Sequence, residues 1–383
     1  MNDYLFRKAG ILLLLLLGFT ACGGEVQEQT IQENGVLWED LTFDRGTQLE
    51  YAEKFSIDHT AEGYALLHIV DEGEFLIVPE GQAVPVDIPK DIIVLQQPLE
   101  NVYLAATSAM DYFCAMDGLD AIRFSGTQAD GWFIEEAKEA LEKGDILYAG
   151  KYSAPDYEQI VDKGCDLAIE STMIYHTPEV KENLESFGVP VLVDRSSYEP
   201  HPLGRTEWVK LYGVLLGKEK LAEELMTEQS AVLKALAEGE NTGKKIGFFY
   251  VSSRGYVNVR KSGDYVSRMI ELAGGEYIFD DLGGDDSALS TVNMQMEEFY
   301  AAAREADILI YNSTIDGELT SLEMLLEKCP LLVHCKAVQE GNVWCTTQNM
   351  FQETMSLGDM IGDFSAVIHG EDAQEIRYLY PLK

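Results

Sequence analysis

Basic residues are scarce. The 383-residue chain carries 28 Lys and Arg against 66 Asp and Glu, a formal net charge of −38. So negative a surface excludes wrapping nucleic acid, or tracking an anionic membrane by charge. It names no ligand, because solubility alone would account for it. Cysteine is sparse too, with six residues and no C-x-x-C pair. Five lie beyond Cys22: Cys114, Cys165, Cys329, Cys335 and Cys345. An odd number without close spacing excludes a dense disulfide scaffold. It leaves buried thiols or one bridge among the last three. The six histidines form no H-x-H or H-E-x-x-H cluster. Neither a G-x-S-x-G nucleophile elbow nor a G-x-x-x-x-G-K-[ST] phosphate loop is present. What is plentiful is core material. The chain is 46% hydrophobic, with 15 Phe, 19 Tyr and 4 Trp, enough for one large core or two ordinary ones and too much for a disordered chain.

The first residues read as a processing segment. Arg7 and Lys8 precede an apolar run from Ile11 to Leu17, and Gly18-Phe19-Thr20-Ala21 leads to Cys22. A charged start, a short apolar stretch and small residues before a cysteine resemble a bacterial lipoprotein signal, in which the thiol of Cys22 is acylated. The run is too short to span a bilayer comfortably. The expectation is therefore cleavage after residue 21 and a polar tether over 22–45. The mature protein would sit on the extracytoplasmic face of the bacterial cytoplasmic membrane, touching it only through the lipid anchor.

Beyond the tether, residues 46–87 predict an extension with a β-hairpin at 64–78 around Asp71-Glu72-Gly73, followed by Pro79, Pro85 and Pro89. Short β-rich runs then alternate with helical stretches. Strands are expected at 91–96, 121–126, 145–150, 165–171 and 189–194. Helices are expected at about 100–115, 131–142, 155–163 and 178–186. This is the rhythm of an α/β domain with a mainly parallel sheet, placed at 88–204. It stops at a long helical stretch from Thr206 to Ala237, within 205–240, where Gly213 and Gly217 weaken the pattern. A second α/β rhythm fills 241–383. Its expected strands are 244–252, 277–279, 307–313, 330–335 and 341–346, and its helices are 264–273, 295–305, 319–328 and 353–369. The fold class is α/β: two lobes joined by a single long helix, with a ligand groove at the carboxyl ends of the strands.

Four segments in order carry a resemblance. They are YSAPDYEQIVDKGCDLAIES (152–171), HPLGRTEWVKLYGVLLGKEKLAEEL (201–225), MEEFYAAAREADILIYNS (296–313) and KCPLLVHCKAVQEGNVWC (328–345). With the lipoprotein-like start, the chain resembles the substrate-binding lipoproteins of ATP-driven importers for iron-siderophore chelates, haem and cobalamin. The resemblance covers about residues 88–375. It implies a monomeric receptor that performs no reaction, requires no cofactor, closes on a chelate and docks on an ABC permease dimer. It also implies one exposed acid on each lobe for permease arginines: Glu158 on the first, and Glu297, with Glu298 beside it, on the second. A carboxylate in a first helical turn is favoured by the helix dipole in any case.

Groove candidates are residues just past strand ends: Arg123, Ser125, Trp132, Ser171, Tyr175, Tyr198, Arg254, Tyr256, Arg260, Asn312 and Trp344. Aromatic rings suit a corrin, porphyrin or catecholate, and Arg254 or Arg260 would neutralise an anionic chelate. The alternative for each aromatic is a place in a lobe core or simply on the surface. His176 is placed to reach the groove, whereas His334, in an apolar run, reads as a core residue. The alternative function is an extracytoplasmic hydrolase using the same cleft.

Overall fold

The computed structural model describes residues 35–236, 240–283, 291–371 and 376–383. Cys22 and the proposed signal lie outside the described residues. The chain from Val36 onward is one compact unit.

The unit opens with a sheet of its own. Strands β1 (Arg45–Gly46), β2 (Phe55–His59), β3 (Ala65–Ile69), β4 (Gly73–Val78) and β5 (Ile92–Gln96) lie side by side in that order. The hairpin expected at 64–78 is β3–β4, in register from Ala65↔Ile77 to Ile69↔Gly73. Alternation gives the sheet two buried faces. Leu67, Ile69, Phe75 and Ile77 join the main core, while Tyr64, Leu76, Val78 and Ile92 pack under Trp38, Leu41 and Phe43. The run at 91–96, expected to start the first lobe, is instead the edge strand here, parallel to β4. Its apolar run marks a strand, but periodicity does not say which sheet that strand joins.

The first lobe starts instead at β6 (Val102–Leu104), inside the stretch expected to be helical. It continues through α1 (Met110–Ala115), β7 (Ile122–Ser125), α2 (Glu135–Lys143) and β8 (Leu147–Tyr148). A small hairpin, β9 (Gly150–Lys151) with β10 (Ala154–Pro155), leads to α3 (Tyr157–Asp162), β11 (Leu167–Ser171), α4 (Pro178–Ser186) and β12 (Val191–Asp194). The sheet order is β12-β11-β6-β7-β8, all parallel. Strands β6 and β12 are buried at every position, as a parallel sheet covered on both faces requires.

The single connecting helix resolves into three: α5 (Pro202–Glu207), α6 (Val209–Leu216) and α7 (Glu219–Leu236). Gly217 ends α6 in the left-handed region, at φ 64°. Gly213 then allows α6 and α7 to pack on each other, since a Cβ there would come within 2.6 Å of the Ala222 Cβ. The connector is thus a helical hairpin. Its buried carboxylates hold the N-terminal sheet. Glu207 accepts hydrogen bonds from the backbone N–H groups of Glu50, Tyr51 and Ala52 at 2.8–3.0 Å and pairs with Lys210. Glu199, just before α5, accepts from the N–H groups of Glu53 and Lys54 and from the Trp208 indole.

The second lobe contains β13 (Lys245–Val251), β14 (Val257–Arg260), α8 (Tyr265–Leu272), β15 (Glu276–Tyr277), β16 (Thr291–Met294), α9 (Met296–Ala303) and β17 (Ile308–Tyr311). It ends with α10 (Leu322–Lys328), α11 (Lys336–Glu340), β18 (Val343–Thr346), α12 (Leu357–His369) and β19 (Leu379–Pro381). Parallel strands β13, β17 and β18 form the centre of the sheet, with β14, β16 and β19 added antiparallel. The strand expected at 330–335 is a 3-10 helix, Pro330–His334. Its one-sided burial inserts Leu332 and leaves Val333 and His334 exposed, so His334 is not a core residue. One continuous core joins both lobes through Leu104, Trp208, Phe248 and Phe364.

Candidate functional site

The two lobe sheets point their carboxyl ends at each other. A set of hydrogen bonds joins the segment after β18 to the segments after β6 and β7. Gln352 accepts from the Phe133 N–H and donates to the Gly131 carbonyl, both at 2.8 Å. Thr354 donates to the Ser108 carbonyl at 2.9 Å, and the Met355 N–H donates to Asp111 at 2.6 Å. Burial, partly offset by the Met355 N–H, pushes the Asp111 carboxyl up to about 7.

The candidates fall on this frame unevenly. On the first lobe, Ser125 and Trp132 are buried and hydrogen-bonded to one another at 3.1 Å. Arg123 is on the bulged part of β7 and donates to the Asp145 carbonyl before β8, at the opposite end of the sheet. Ser171 accepts from the Met173 N–H, capping the 3-10 helix Thr172–His176. Met173 and Tyr175 on that helix are 45% and 43% exposed, and His176 is exposed. Tyr198 is half-buried under the Arg195 guanidinium, 5.1 Å from its ring centre. Tyr175, Tyr198 and Arg195 therefore gather at the ends of β11 and β12.

On the second lobe, the Ser252–Tyr256 turn leaves Arg254 and Tyr256 exposed beyond β13. Asn312 is buried and accepts from the Thr314 N–H and hydroxyl, building the loop after β17. Arg260 faces Asp264 at 3.5 Å and lies over the Phe351 ring at 4.9 Å. Trp344 is half-buried in mid-strand, opposite Ile310 and Pro381. Tyr175, Arg254 and Tyr256 are thus exposed just past strand ends and Tyr198 is half-buried there, whereas Ser125, Trp132 and Asn312 are buried and Trp344 is half-buried.

Sequence reading passed over Asp71, Glu72, Asp111, Lys181, Arg195 and Gln352. Arg195 was within reach of it, since it directly follows a clear strand. The others depend on contacts across more than 100 residues.

The five cysteines beyond residue 22 are free thiols. Burial raises Cys114 to about 12, and Cys165 and Cys335 to about 11, which removes their nucleophilic character. Among the described residues, no three His, Cys, Asp or Glu side chains gather where they would hold a metal ion. A cavity of about 600 Å³ lined by Lys245, Arg268, Glu271, Tyr277 and Asp280 lies at the amino-terminal end of β13, away from the cleft.

Comparison with solved structures matches this architecture. A periplasmic heme binding protein from Pseudomonas aeruginosa superposes with a TM-score of 0.58 at 15% identity, covering 74% of this chain and 98% of its own. An ABC-type Fe3+-hydroxamate transport system structure from Saccharomonospora viridis gives 0.55 at 17%, covering 71% and 93%. This chain has the periplasmic-binding-protein fold. No protein-family model matches the chain. Two curated relatives are uncharacterized lipoproteins of Methanocaldococcus jannaschii. One is 24% identical over 98% of this chain and 100% of its own length. The other is 25% identical over 63% of this chain, and the match spans 56% of that relative.

In this fold the two acids predicted for docking occupy matching places. Glu158 is the second residue of α3, which precedes β11, and Glu297 is the second residue of α9, which precedes β17. Both are exposed, as is Glu298. Among the described residues, no helix is long and apolar enough to cross a membrane.

Proposed function

We propose that this chain is an extracytoplasmic, lipid-anchored substrate-binding protein of an ABC importer. It takes an iron-siderophore, haem or cobalamin between its lobes and presents it to a permease dimer. What supports this reading is the contact between segments that follow the strands of the two lobes, Gln352 with Phe133 and Met355 with Asp111, and the reading assigns the half-buried Tyr198 and the exposed Tyr175, Arg254 and Tyr256, all just past strand ends, to the ligand. Such an arrangement stacks on a flat or aromatic chelate and meets its anionic edge. Solved neighbours that bind heme or serve Fe3+-hydroxamate transport support the ligand class, and lipoprotein relatives support the anchor through Cys22. Nothing in this role requires bond making. Affinity, closure and release suffice, and the proposed state is a monomer.

The test is titration of the mature protein with haemin, a ferric trihydroxamate, a ferric tris-catecholate and cobalamin, read by absorbance and native mass spectrometry. One class should bind one-to-one at micromolar affinity or better, and a protein that binds none of them overturns the reading. For docking, the double variant Glu158→Lys/Glu297→Lys should abolish uptake in cells while leaving ligand affinity unchanged. Normal uptake would reject these two positions.

A further inference from the structure

The N-terminal sheet reaches the cleft. The tip of its β3–β4 hairpin, Val70-Asp71-Glu72, rests on the residues that follow β11 and β12. Asp71 takes a positive φ of 64° and Gly73 one of 121°, which makes the turn tight enough to direct both acids toward the lobe. The Arg195 guanidinium donates to the Val70 carbonyl and, at 2.6 Å, to Asp71. The Arg195 side chain is 10% exposed, so little of its charge is left facing solvent. The Glu72 side chain is 5% exposed, between Lys181 at 2.7 Å and the Tyr175 hydroxyl, which donates to it. Burial and this bond to Glu72 raise the Tyr175 hydroxyl above its ordinary range, keeping it a neutral donor.

The two cations nearest this end of the first lobe are therefore already neutralised by the chain itself. Across the cleft, Arg254 is exposed and has no ion-pair partner among the described residues. We infer that Asp71 and Glu72 are specificity-determining residues of the cleft. By occupying Arg195 and Lys181 they give the first lobe a neutral, aromatic surface and leave anion recognition to the second. This inference rests on the proposed binding function. It specifies the ligand class: a chelate that is neutral, or whose anionic groups lie along one edge, and not one charged on all sides. A uniformly anionic chelate would bring charge against Asp71, 73% exposed in its side chain, without gaining Arg195.

The experiment compares the wild-type chain with Asp71→Asn/Glu72→Gln, using a ferric tris-catecholate (a trianion), a neutral ferric trihydroxamate and haemin. The amides keep hydrogen-bonding capacity toward Arg195, Lys181 and Tyr175 while releasing the positive charge. Affinity for the trianion should rise roughly tenfold, with steeper salt dependence, while the trihydroxamate changes less than about twofold. If the double variant fails to fold by circular dichroism, Asp71→Asn alone decides, with an expected gain of about threefold, because this side chain is mostly in solvent. Equal change for charged and neutral chelates, or no change in a folded variant, overturns the inference and leaves the binding function standing. A wild-type chain that binds none of these probes overturns the inference, and one that binds neither these nor cobalamin removes the binding function as well.

Discussion

The two lobes repeat one segment, a helix leading through an aspartate into a strand, and differ in what that strand buries. In the first lobe, α3 leads through Cys165-Asp166 into Leu167–Ser171. In the second, α9 leads through Ala306-Asp307 into Ile308–Tyr311. Asp166 donates its N–H to the Asn101 carbonyl and accepts the Glu100 and Asn101 N–H groups, just before β6. Asp307 donates its N–H to the Lys245 carbonyl and accepts the Lys245 N–H at the start of β13. The same residue type thus ties each central strand to its neighbour. Four residues on, the lobes differ: Glu170 stands where the second lobe has Tyr311. Both are buried, and among the described residues neither carboxyl oxygen of Glu170 has a hydrogen-bond partner. A tyrosine buries an aromatic ring with its hydroxyl, whereas the glutamate, fully buried in β11, buries a carboxyl. The repeated part builds the sheet, and the divergent part sets what polar group each lobe buries.

The largest effect should come from removing that difference. Burial alone pushes the Glu170 carboxyl up to about 8. An unfolded glutamate titrates near 4.3. Because the folded value is raised, the stability contribution is fully present below the unfolded value and is lost as pH rises from about 4 toward 8. Glu170→Met should therefore stabilise the protein, by roughly 3.5 kcal/mol more at pH 8 than at pH 5. Urea unfolding at the two pH values checks this. A variant whose advantage does not grow with pH would show that the carboxyl has a partner in solution.

The next test concerns the contact between the lobes. Asp111 is raised to about 7, with burial as the dominant cause. Its contribution likewise falls as pH rises from about 4 through 7. Asp111→Asn preserves an acceptor for the Met355 N–H and removes the titration. Its stability relative to wild type should rise by roughly 2.5 kcal/mol between pH 5 and pH 8. A parallel pair of curves would mean that the lobes do not bury this group in solution.

The sequence made much of this architecture legible, for identifiable reasons. Helix α4 matches its expected bounds, where Pro178 opens it and Thr177 precedes it. The β3–β4 hairpin follows from alternation around a turn rich in Asp and Gly. The failures are non-local. Nothing in IIVLQ says that it pairs with β4 rather than β6, and PLLVHC has the composition of a strand but the one-sided burial of a 3-10 turn. For the cleft, strand ends led to Tyr175 and Tyr198, but exposure does not follow from position. Ser125 and Trp132 satisfy one another, and Asn312 is used by its own loop. Asp71 and Glu72 looked like ordinary turn residues in so acidic a chain. Only the packing of the N-terminal sheet brings them to Arg195 and Lys181.

The smallest effect tests whether the repeat is energetic as well as geometric. Asp166 and Asp307 each accept backbone N–H groups at 2.7–2.9 Å, and both are partly solvent-exposed. Asp307 has an additional partner, Lys336 at 2.5 Å. That pair, with the Lys245 N–H, holds its carboxyl below the usual range although burial opposes the shift. A lowered folded value contributes stability above the unfolded value near 4, which is lost as pH falls through the folded one. Replacing either aspartate with alanine leaves N–H groups to water rather than to an apolar core, so each should cost only about 1 kcal/mol at pH 7. Because the two sit in different sheets with no shared partner, the double variant should cost the sum, within about 0.5 kcal/mol. The Asp307 loss should also shrink at pH 3, where protonation weakens the ion pair. A double variant costing far more than the sum would mean that the lobes do not carry their strand ties independently, and that closure around a ligand strains both sheets together.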